Sequence, residues 1–479
     1  MNHPFIQSKG EFYMVNQVKN VQIAYIGGGS RGWAWGLMSD LASEQSISGT
    51  VKLYDINYEA AQQNAIIGNR LLERDDVVGH WEYEAVKTLK EALIGADFVI
   101  ISILPGTFLE MKSDVHTPEQ YGVYQSVGDT VGPGGMIRAL RTIPLFVEIA
   151  NQIKEHAQNA WVINYTNPMS LCTRTLYHVF PEIKAIGCCH EVFSTQKLLA
   201  SMLEDLEGIK NVDRRDIKVN VLGINHFTWI DHASYQNIDL FPLYEKFVDK
   251  YYETGFEGKN TGNWLNDHFS SAQRVKFDLF KKFGIIAAAG DRHLAEFMPN
   301  TWYLQSPEKV REWKFGLTPV NWRMERGKEL YEKGKRLASG EDVFLLNPTG
   351  EEGVQMMKAL LGLGEIISNV NFPNRGQMAG VPEDAIVETN AVFRYNSVQP
   401  IYSGELPTSI NNMVLRHIHN QEMTLKSSMD GDRPLALSAF KQDPLLSSIT
   451  PEEAEELFEK MLFNTKSYLP GWEFEKVIK

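Results

Sequence analysis

The stretch Val21-Gln-Ile-Ala-Tyr-Ile-Gly-Gly-Gly-Ser-Arg-Gly32 decides the fold of the first part of the chain. An apolar run ends in three glycines, an apolar helical pattern follows, and Val51-Lys-Leu-Tyr-Asp55 has the character of a second strand that ends in an acid. A strand that runs into Gly-x-Gly-x-x-Gly, with an acid at the end of the next strand, is typical of dinucleotide-binding βαβ units. We therefore predict an NAD site here, although three-glycine clusters also end ordinary strands.

Each part of this motif has an expected role. Gly27 permits the tight turn, Gly29 lets the backbone approach the pyrophosphate, and Gly32 lets the following helix pack against the strand. Asp55 is expected to hold the ribose hydroxyls, which favours NAD over its 2′-phosphorylated form. The predicted cofactor-binding residues are Gly27, Gly28, Gly29, Ser30, Gly32, Asp55, Ser102 and Pro105.

Composition narrows the class of protein. A chain of 479 residues is long enough for two or three domains, and its net charge of −13 gives no basic field for nucleic acid or an anionic membrane. A local cationic pocket for an anionic substrate remains compatible with that charge. With only three cysteines and no apolar segment of signal-peptide or membrane-span length, we expect a cytoplasmic protein whose partners are small molecules.

Strand and helix patterns alternate over the first two hundred residues, as in parallel βαβ units. Strands are predicted at Ala96–Leu104 and Trp161–Pro168, and a helix is predicted at Met136–Ile153, directly after the helix-breaking pair Gly134-Gly135. Because ligands bind beyond the carboxyl ends of such strands, Ser102, Pro105, Asn167 and Pro168 should converge on one crevice.

The predicted fold is α/β, with a Rossmann-type doubly wound parallel sheet over residues 18–200. A mixed α+β domain for substrate, metal and oligomerisation is predicted over residues 201–479, where the strict alternation fades. In or near this second part, helices are predicted at Ser194–Leu206, Glu352–Ile367 and Pro451–Phe463. Extended segments are predicted at Ile217–Leu222 and Ala385–Tyr395.

Two later motifs carry metal-binding side chains. Cys189 follows an apolar strand pattern, and His226 lies in Leu222-Gly-Ile-Asn-His-Phe227. A thiolate and an imidazole that meet in space can bind a divalent cation, with substrate oxygens and water filling the other positions. The alternative is a cysteine that serves as a small apolar residue and a hydrogen-bonded core histidine.

A third motif, Ala289-Gly-Asp-Arg-His-Leu-Ala-Glu-Phe297, brings an acid, a guanidinium and an imidazole together. Such a cluster can supply a base, an anion clamp and a second acid or base. The alternative is a charged loop in which Asp291 caps the helix that His293 begins. The glycine-rich segment Ser126–Gly135, which includes Asp129, is either a plain loop or a backbone-lined substrate rim.

Taken together, these motifs resemble the NAD-dependent, metal-requiring glycosidases of glycoside hydrolase family four, whose first domain is related to lactate and malate dehydrogenases. The resemblance extends over nearly the whole chain. The sequence Cys-His-Glu-Val at Cys189–Val192 resembles the one found in the branch of the family that acts on α-galacturonides. The sequence of Gly290–Phe297 also resembles that branch.

The resemblance implies a site and a redox-neutral mechanism. NAD takes hydride from C3 of the sugar, a base removes the C2 proton, the glycosidic oxygen leaves, water adds, and hydride returns. A divalent cation such as Mn²⁺ acts as a Lewis acid. Carried onto this chain, the metal ligands are Cys189 and His226. The predicted base is Asp291, with His293 second, and the predicted acid is His190.

The remaining predictions concern the substrate. A uronate carboxylate suits a bidentate arginine, so Arg292 is the first candidate clamp and Arg138 the second, with Asn167 and Asp129 as further substrate-site residues. The resemblance also suggests a homodimer or homotetramer. Open alternatives are a family-four α-glucosidase or α-galactosidase, a plain NAD-dependent sugar or 2-hydroxyacid dehydrogenase, and a non-enzymatic NAD sensor.

Overall fold

The largest element of the computed structural model is a nine-stranded sheet; the structure describes residues 17–257, 271–472 and 474. Six of its strands are parallel and stand in the order β3-β2-β1-β4-β5-β6, which is the order of a dinucleotide-binding sheet. They are β1 (Val18–Ile26), β2 (Ile47–Tyr54), β3 (His80–Val86), β4 (Phe98–Ile101), β5 (Trp161–Asn164) and β6 (Lys184–Gly187).

Helices cover both faces of these strands. Successive residues of β1 enter different cores: Ile23 and Tyr25 pack on one face, Ala24 and Ile26 on the other. Burial on both faces explains why β4 and β5, in the middle of the sheet, are buried along their whole length, whereas β3 alternates buried and exposed residues. The helices of this part are α1 (Trp33–Ala42), α2 (Tyr58–Arg70), α3 (Leu89–Leu93), α4 (Phe108–His116), α5 (Gly132–His156), α6 (Met169–Val179) and α7 (Glu191–Glu207). The predicted Rossmann-type fold is confirmed.

Three strands from late in the chain extend the same sheet. β11 (Ile366–Pro373) pairs antiparallel with β6, β13 (Ile386–Arg394) pairs with β11, and β14 (Ser397–Pro400) forms the edge. The nine-stranded sheet therefore contains strands from both sides of the predicted domain boundary between residues 200 and 201. That boundary itself stays a prediction.

The rest of the chain forms a mixed α+β layer. Its strands are β7 (Ile217–Ile224), β8 (Phe227–Tyr235), β9 (Ile238–Asp239), β10 (Ile286–Ala287), β12 (Met378–Ala379) and β15 (Gly404–Glu405). The later helices are α8 (Phe241–Tyr251), α9 (Arg274–Phe283), α10 (Asp291–Glu296), α11 (Asn300–Tyr303), α12 (Pro307–Glu312), α13 (Val320–Ser339), α14 (Gly353–Leu360), α15 (Thr408–Asp430), α16 (Arg433–Lys441) and α17 (Pro451–Thr465). Of these, α13 and α14 pack against the core of the Rossmann-type sheet, through Leu337 of α13 and through Val354 and Leu360 of α14. Short 3₁₀ turns lie at Leu71–Glu73, Pro118–Tyr121, Arg214–Asp216, Pro444–Leu446 and Lys466–Tyr468. None of the described helices combines the length and apolar character needed to span a lipid bilayer.

Two predicted helix boundaries are wrong. The helix predicted over Glu352–Ile367 ends at Leu360, because Gly362 and Gly364 adopt positive φ values and the chain continues as β11. Helix α5 begins at Gly132 rather than after Gly135, since Pro133 in its first turn needs no N–H partner.

Candidate active site

The glycine turn after β1 is shaped by close contacts between backbone atoms. Gly27 has φ +96°, and a Cβ there would lie 2.0 Å from the carbonyl oxygen of Ser102. At Gly28 a Cβ would lie 2.7 Å from that of Leu53. The Gly29 amide donates to Asp55 Oδ2 at 2.9 Å. Only glycines fit at these first two positions, and the acid predicted to hold ribose also anchors the turn.

Gly32 does not have the predicted packing role. It is the N-cap of α1, and an added Cβ would meet nothing within 4 Å. The close approach between the turn and the neighbouring strand is made by Gly28 instead, because Gly28 lies directly against β2. The expectation for Gly32 is therefore wrong in its mechanism.

Asn64, on α2, was not anticipated from the sequence. Its buried side-chain amide donates to the carbonyl oxygens of Gly28 (2.8 Å) and Ser30 (3.0 Å) and accepts from the Trp35 indole (2.8 Å). A buried asparagine that satisfies two carbonyls holds the turn in one conformation. Asn64 directly follows Gln62 and Gln63, so the sequence alone does not distinguish it from its polar neighbours.

Ser102 and Asn167 line the large cavity beside the turn, whereas Pro105 and Pro168 are not among its described lining residues. Ser102 hydrogen-bonds the hydroxyl of Tyr25. Pro105 is buried, and its carbonyl accepts from Arg141 Nε at 2.9 Å. The predicted convergence is correct for two of the four residues, and Leu104 and Gly106, on either side of Pro105, also line the cavity.

Asp129, His226 and His293 form a group whose ligand atoms all lie within 4.8 Å of one another. His226 has φ +63° in the turn between β7 and β8. Its Nδ1 lies 2.9 Å from Thr130 Oγ1, which donates to Asp129 Oδ1 at 2.7 Å. The His226 and His293 rings stack with their centroids 3.6 Å apart. Among the described residues, this is the constellation that geometry allows to hold a cation.

The protonation states of this group suit a divalent cation. Burial and the neighbouring His293 lower the pKa of His226 to about 3, and burial also lowers that of His293. Burial would raise the pKa of Asp129, but His293 and Arg138 outweigh this effect and lower it. Neutral imidazoles and an ionised carboxylate are the forms that coordinate metal. His293 Nδ1 is also buried without a hydrogen-bond partner among the described residues.

Cys189 lies just beyond β6 and is buried. Its sulfur does not belong to the three-residue group described above. Burial raises the pKa of the Cys189 thiol well above its ordinary value, and Glu388 and Glu191 add to this effect. Without a cation the group is therefore a thiol rather than a thiolate. Its role as a metal ligand stays a prediction.

His190 and Glu191 follow directly and face the same cavity. His190 Nδ1 lies 2.7 Å from Glu351 Oε1. Burial alone would lower the pKa of His190, but Glu351 outweighs burial and raises it to about 9. Glu191 accepts from the Gly290 amide at 2.6 Å and lies 3.6 Å from His293 Nε2. Neither Glu191 nor Glu351 was singled out from the sequence, because each acts through a residue far along the chain.

Asp291 is completely buried and lies at the start of α10. Its Oδ1 accepts the Lys276 amide at 3.1 Å, so the carboxylate caps α9 rather than the helix it begins. Its Oδ2 is buried without a partner among the described residues. Burial raises the pKa of Asp291 to about 6, and it lowers that of the neighbouring Lys276 ammonium to about 8. Lys276, which the sequence reasoning missed, also lines the cavity.

Arginines gather around Asp129. Arg292 donates through Nε to the Gly316 carbonyl (3.0 Å) and through Nη2 to Thr318 Oγ1 (2.9 Å) and the Ser126 carbonyl. Arg138 donates through Nε to the Asn167 carbonyl at 3.0 Å. Arg323, missed in the sequence, lines the cavity and interacts electrostatically with Asp129 and Arg138. The region combines three guanidiniums with the ionised carboxylates of Asp129 and Glu191.

One cavity of about 1880 Å³ joins these parts. Its wall includes the glycine turn and Asp55 as well as Asp129, His226 and His293. This volume exceeds that of a typical pocket for one small ligand, so it has room for a dinucleotide and a sugar together.

Comparison with known proteins gives consistent matches over nearly the whole chain. Residues 22–205 match the model for family 4 glycosyl hydrolases, and residues 221–446 match the model for their C-terminal domain. The alpha-galacturonidase of Thermoanaerobacterium saccharolyticum is 63% identical over 463 residues, which cover 97% of this chain and 99% of the relative.

Solved structures agree with these matches. The crystal structure of the lplD protein of Bacillus subtilis is 54% identical, with a TM-score of 0.88, and the match covers 93% of this chain and 100% of that one. A 6-phospho-alpha-glucosidase from gut microorganisms, solved with NAD and Mn²⁺, has a TM-score of 0.78 at 19% identity, over 95% of this chain and 100% of that one. This second likeness is one of fold.

Proposed function

The chain belongs to the family 4 glycosyl hydrolases, and from this premise we propose that it cleaves α-galacturonides with the help of bound NAD and a divalent cation. The substrate class is supported by the 63% identity to an alpha-galacturonidase over nearly both whole chains. The observation that carries the proposal is the single cavity that the glycine turn and the Asp129–His226–His293 group share.

The glycine turn is the proposed NAD site. Glycines at positions 27 and 28 let the turn lie directly against Ser102 and Leu53, and Gly27, Gly29 and Ser30 line the cavity where a pyrophosphate would lie. Asp55 accepts the amides of Gly29 and Asn57 at 2.9 and 2.8 Å, so its carboxylate is fixed at the end of β2 where a ribose would lie. When bound, NAD supplies a hydride acceptor and donor for a sugar carbon.

The proposed cation site centres on His226. Asp129 and His293 fit as further ligands by geometry and protonation state, and Cys189 joins them on the strength of the family resemblance. Mn²⁺ accepts such nitrogen and carboxylate donors. When bound, the cation supplies Lewis-acid stabilisation to substrate oxygens.

Two side chains are proposed to move protons. Asp291 is the candidate base, since its buried Oδ2 lacks a partner among the described residues and Asp291 lines the cavity. His293 is the second candidate, but its stacking on His226 suits a ligand better. His190 is the candidate acid, because its contact with Glu351 fixes the ring and leaves the other nitrogen for the departing glycosidic oxygen.

The arginines around Asp129 are proposed to select an anionic sugar. Arg138 and Arg292 each use part of the guanidinium to hold backbone carbonyls, and Arg323 adds a third positive charge. A uronate carboxylate would complement the positive charge that these guanidiniums bring to the cavity.

The test is a panel of nitrophenyl α-galacturonide, α-galactoside and α-glucoside, each with and without NAD and Mn²⁺. We expect release of nitrophenol from the galacturonide only when both additions are present, with no accumulation of NADH. Equal activity on all three glycosides would contradict the substrate proposal. Stoichiometric NADH formation without cleavage would favour a dehydrogenase instead.

A further inference from the structure

Glu388, on β13, is a completely buried carboxylate that the proposed reaction does not use. It lies opposite Asn371 in the antiparallel pairing of β11 with β13. Three asparagine amides donate to it: Asn369 to Oε1 at 2.7 Å, and Asn371 and Asn225 to Oε2 at 3.0 and 3.3 Å. Among the described residues, no lysine or arginine forms an ion pair with Glu388.

Such an arrangement is costly. A carboxylate removed from water without a positive partner loses several kcal/mol of hydration, and neutral amides restore only part of it. Burial accordingly raises the pKa of Glu388 to about 7. A glutamine or an apolar residue would fill this position at lower cost unless a negative charge is useful nearby.

The asparagines connect Glu388 to two predicted metal ligands. The Asn369 amide that donates to Glu388 also donates to the backbone carbonyl of Cys189, at 3.2 Å. Asn225 directly precedes His226, whose backbone is in the left-handed region. Glu388 therefore ties the segment after β6 and the turn between β7 and β8 to a single strand.

We propose that Glu388 is a positioning residue for the cation site: through Asn369 and Asn225 it fixes the Cys189 segment relative to the His226 turn, and its negative charge stabilises the bound cation. The inference rests on the proposed function, because it requires that a cation binds at His226. Partners that orient metal ligands from the layer behind them contribute substantially to metal affinity.

The test compares Glu388→Gln with the wild-type chain. The substitution keeps the volume of the side chain and removes its charge. Mn²⁺ affinity is measured by calorimetry and by the electron paramagnetic resonance signal of free Mn²⁺, and NAD affinity is measured separately. We expect Mn²⁺ binding to weaken about 10- to 100-fold, with NAD affinity changed by less than roughly twofold.

Asn390→Ala provides the matched control. Asn390 lies two residues along the same strand, and its side-chain amide donates to the Val219 carbonyl at 2.6 Å. Its backbone stands opposite Asn369 in the pairing of β11 with β13, but among the described residues no hydrogen bond joins its side chain to Glu388. This variant weakens the packing of β13 in general, so a merely structural role for Glu388 would give the same result in both variants. We expect Asn390→Ala to keep wild-type affinities for Mn²⁺ and NAD.

Asn369→Ser is the second variant, in case Glu388→Gln does not fold. It breaks the link to the Cys189 carbonyl and leaves the carboxylate in place, and we expect weaker Mn²⁺ binding with unchanged NAD binding. If the wild-type chain binds Mn²⁺ and the folded Glu388→Gln and Asn369→Ser variants bind it equally well, Glu388 has no positioning role. The proposed cation site would still stand in that case. A wild-type chain that binds no Mn²⁺ would overturn both this inference and the proposed cation site.

Discussion

At the residue scale, the active site depends on buried polar groups whose partners are distant in sequence. Gly27 belongs to a local motif that itself indicates a dinucleotide site, and the family resemblance predicts Cys189 and His226 as metal ligands. Asn64 and Glu388 have no such motif. Their importance arises from contacts 36 and 163 residues away, with Gly28 and Asn225, which only the folded chain creates.

A pair of glycine substitutions tests the geometry of the turn. Gly27→Ala places a Cβ 2.0 Å from the Ser102 carbonyl oxygen at a positive φ, whereas Gly32→Ala meets nothing within 4 Å. We expect Gly27→Ala to lower the free energy of unfolding by about 2 kcal/mol or more and to weaken NAD binding. Gly32→Ala should stay within about 0.5 kcal/mol of wild type. Chemical denaturation and NAD titration measure both, and equal effects at the two positions would contradict the described turn.

Replacement of Arg292 or Arg138 tests anion recognition. If these guanidiniums attract the uronate carboxylate, Arg292→Ala and Arg138→Ala should reduce kcat/KM for an α-galacturonide about 10- to 100-fold more than for a neutral α-galactoside. The neutral substrate is the internal control, because damage to the loops that Arg292 holds affects both substrates alike. Parallel losses on both would remove the arginines from substrate recognition.

At the element scale, the central strands β4 and β5 are predictable because burial on both faces makes each one a largely apolar run, whereas β3 alternates buried and exposed residues. The start of α5 and the end of α14 are less predictable, since glycines determine both and a glycine fits a loop as well as a helix terminus. The attachment of β11 to β6 is not a local property at all. It joins Asn371 to Gly187, and no periodic pattern encodes that pairing.

The contact between α1 and the segment before α14 gives a pH-dependent prediction. Asp40 accepts the Thr349 amide and hydroxyl at 2.8 and 2.6 Å, and burial raises its pKa to about 6. A carboxyl whose pKa is raised in the folded state is protonated in both states at low pH, and it destabilises the fold increasingly as the pH rises through its two pKa values.

Asp40→Asn removes this penalty while an amide still pairs with Thr349. We therefore expect the free energy of unfolding of the variant, relative to wild type, to increase between about pH 4 and pH 6 and then to level off, with a total gain of up to roughly 3 kcal/mol. Urea denaturation at several pH values measures the difference. A difference that is independent of pH would show that the Asp40 carboxyl is not the source.

At the scale of the whole molecule, the cavity is a joint product of both segments of the chain. The Rossmann-type segment supplies the glycine turn and Asp129, and the later segment supplies His226 and His293. The sequence predicts both halves of the site through the family resemblance, but it does not predict that Asp129 and His293 approach His226. The homodimer or homotetramer and the cytoplasmic location stay predictions, the first testable by light scattering.

Because NAD and the cation are proposed to bind at different parts of the cavity, we expect metal removal to affect hydrolysis but not NAD binding. Treatment with EDTA should abolish hydrolysis while NAD still binds, because the proposed cation ligands and the glycine turn are different residues. Addition of Mn²⁺ should restore activity. Full activity after exhaustive chelation would contradict the cation site, and simultaneous loss of NAD binding would contradict the separation of the two sites.

NAD and a cation are proposed to act on one sugar in one cavity, so that a C2 proton is removed and replaced in each turnover. Hydrolysis of nitrophenyl α-galacturonide in D₂O, followed by proton NMR of the released galacturonate, measures this exchange. We predict one deuterium at C2 of the product. A product that retains its original C2 hydrogen after complete hydrolysis would contradict the account.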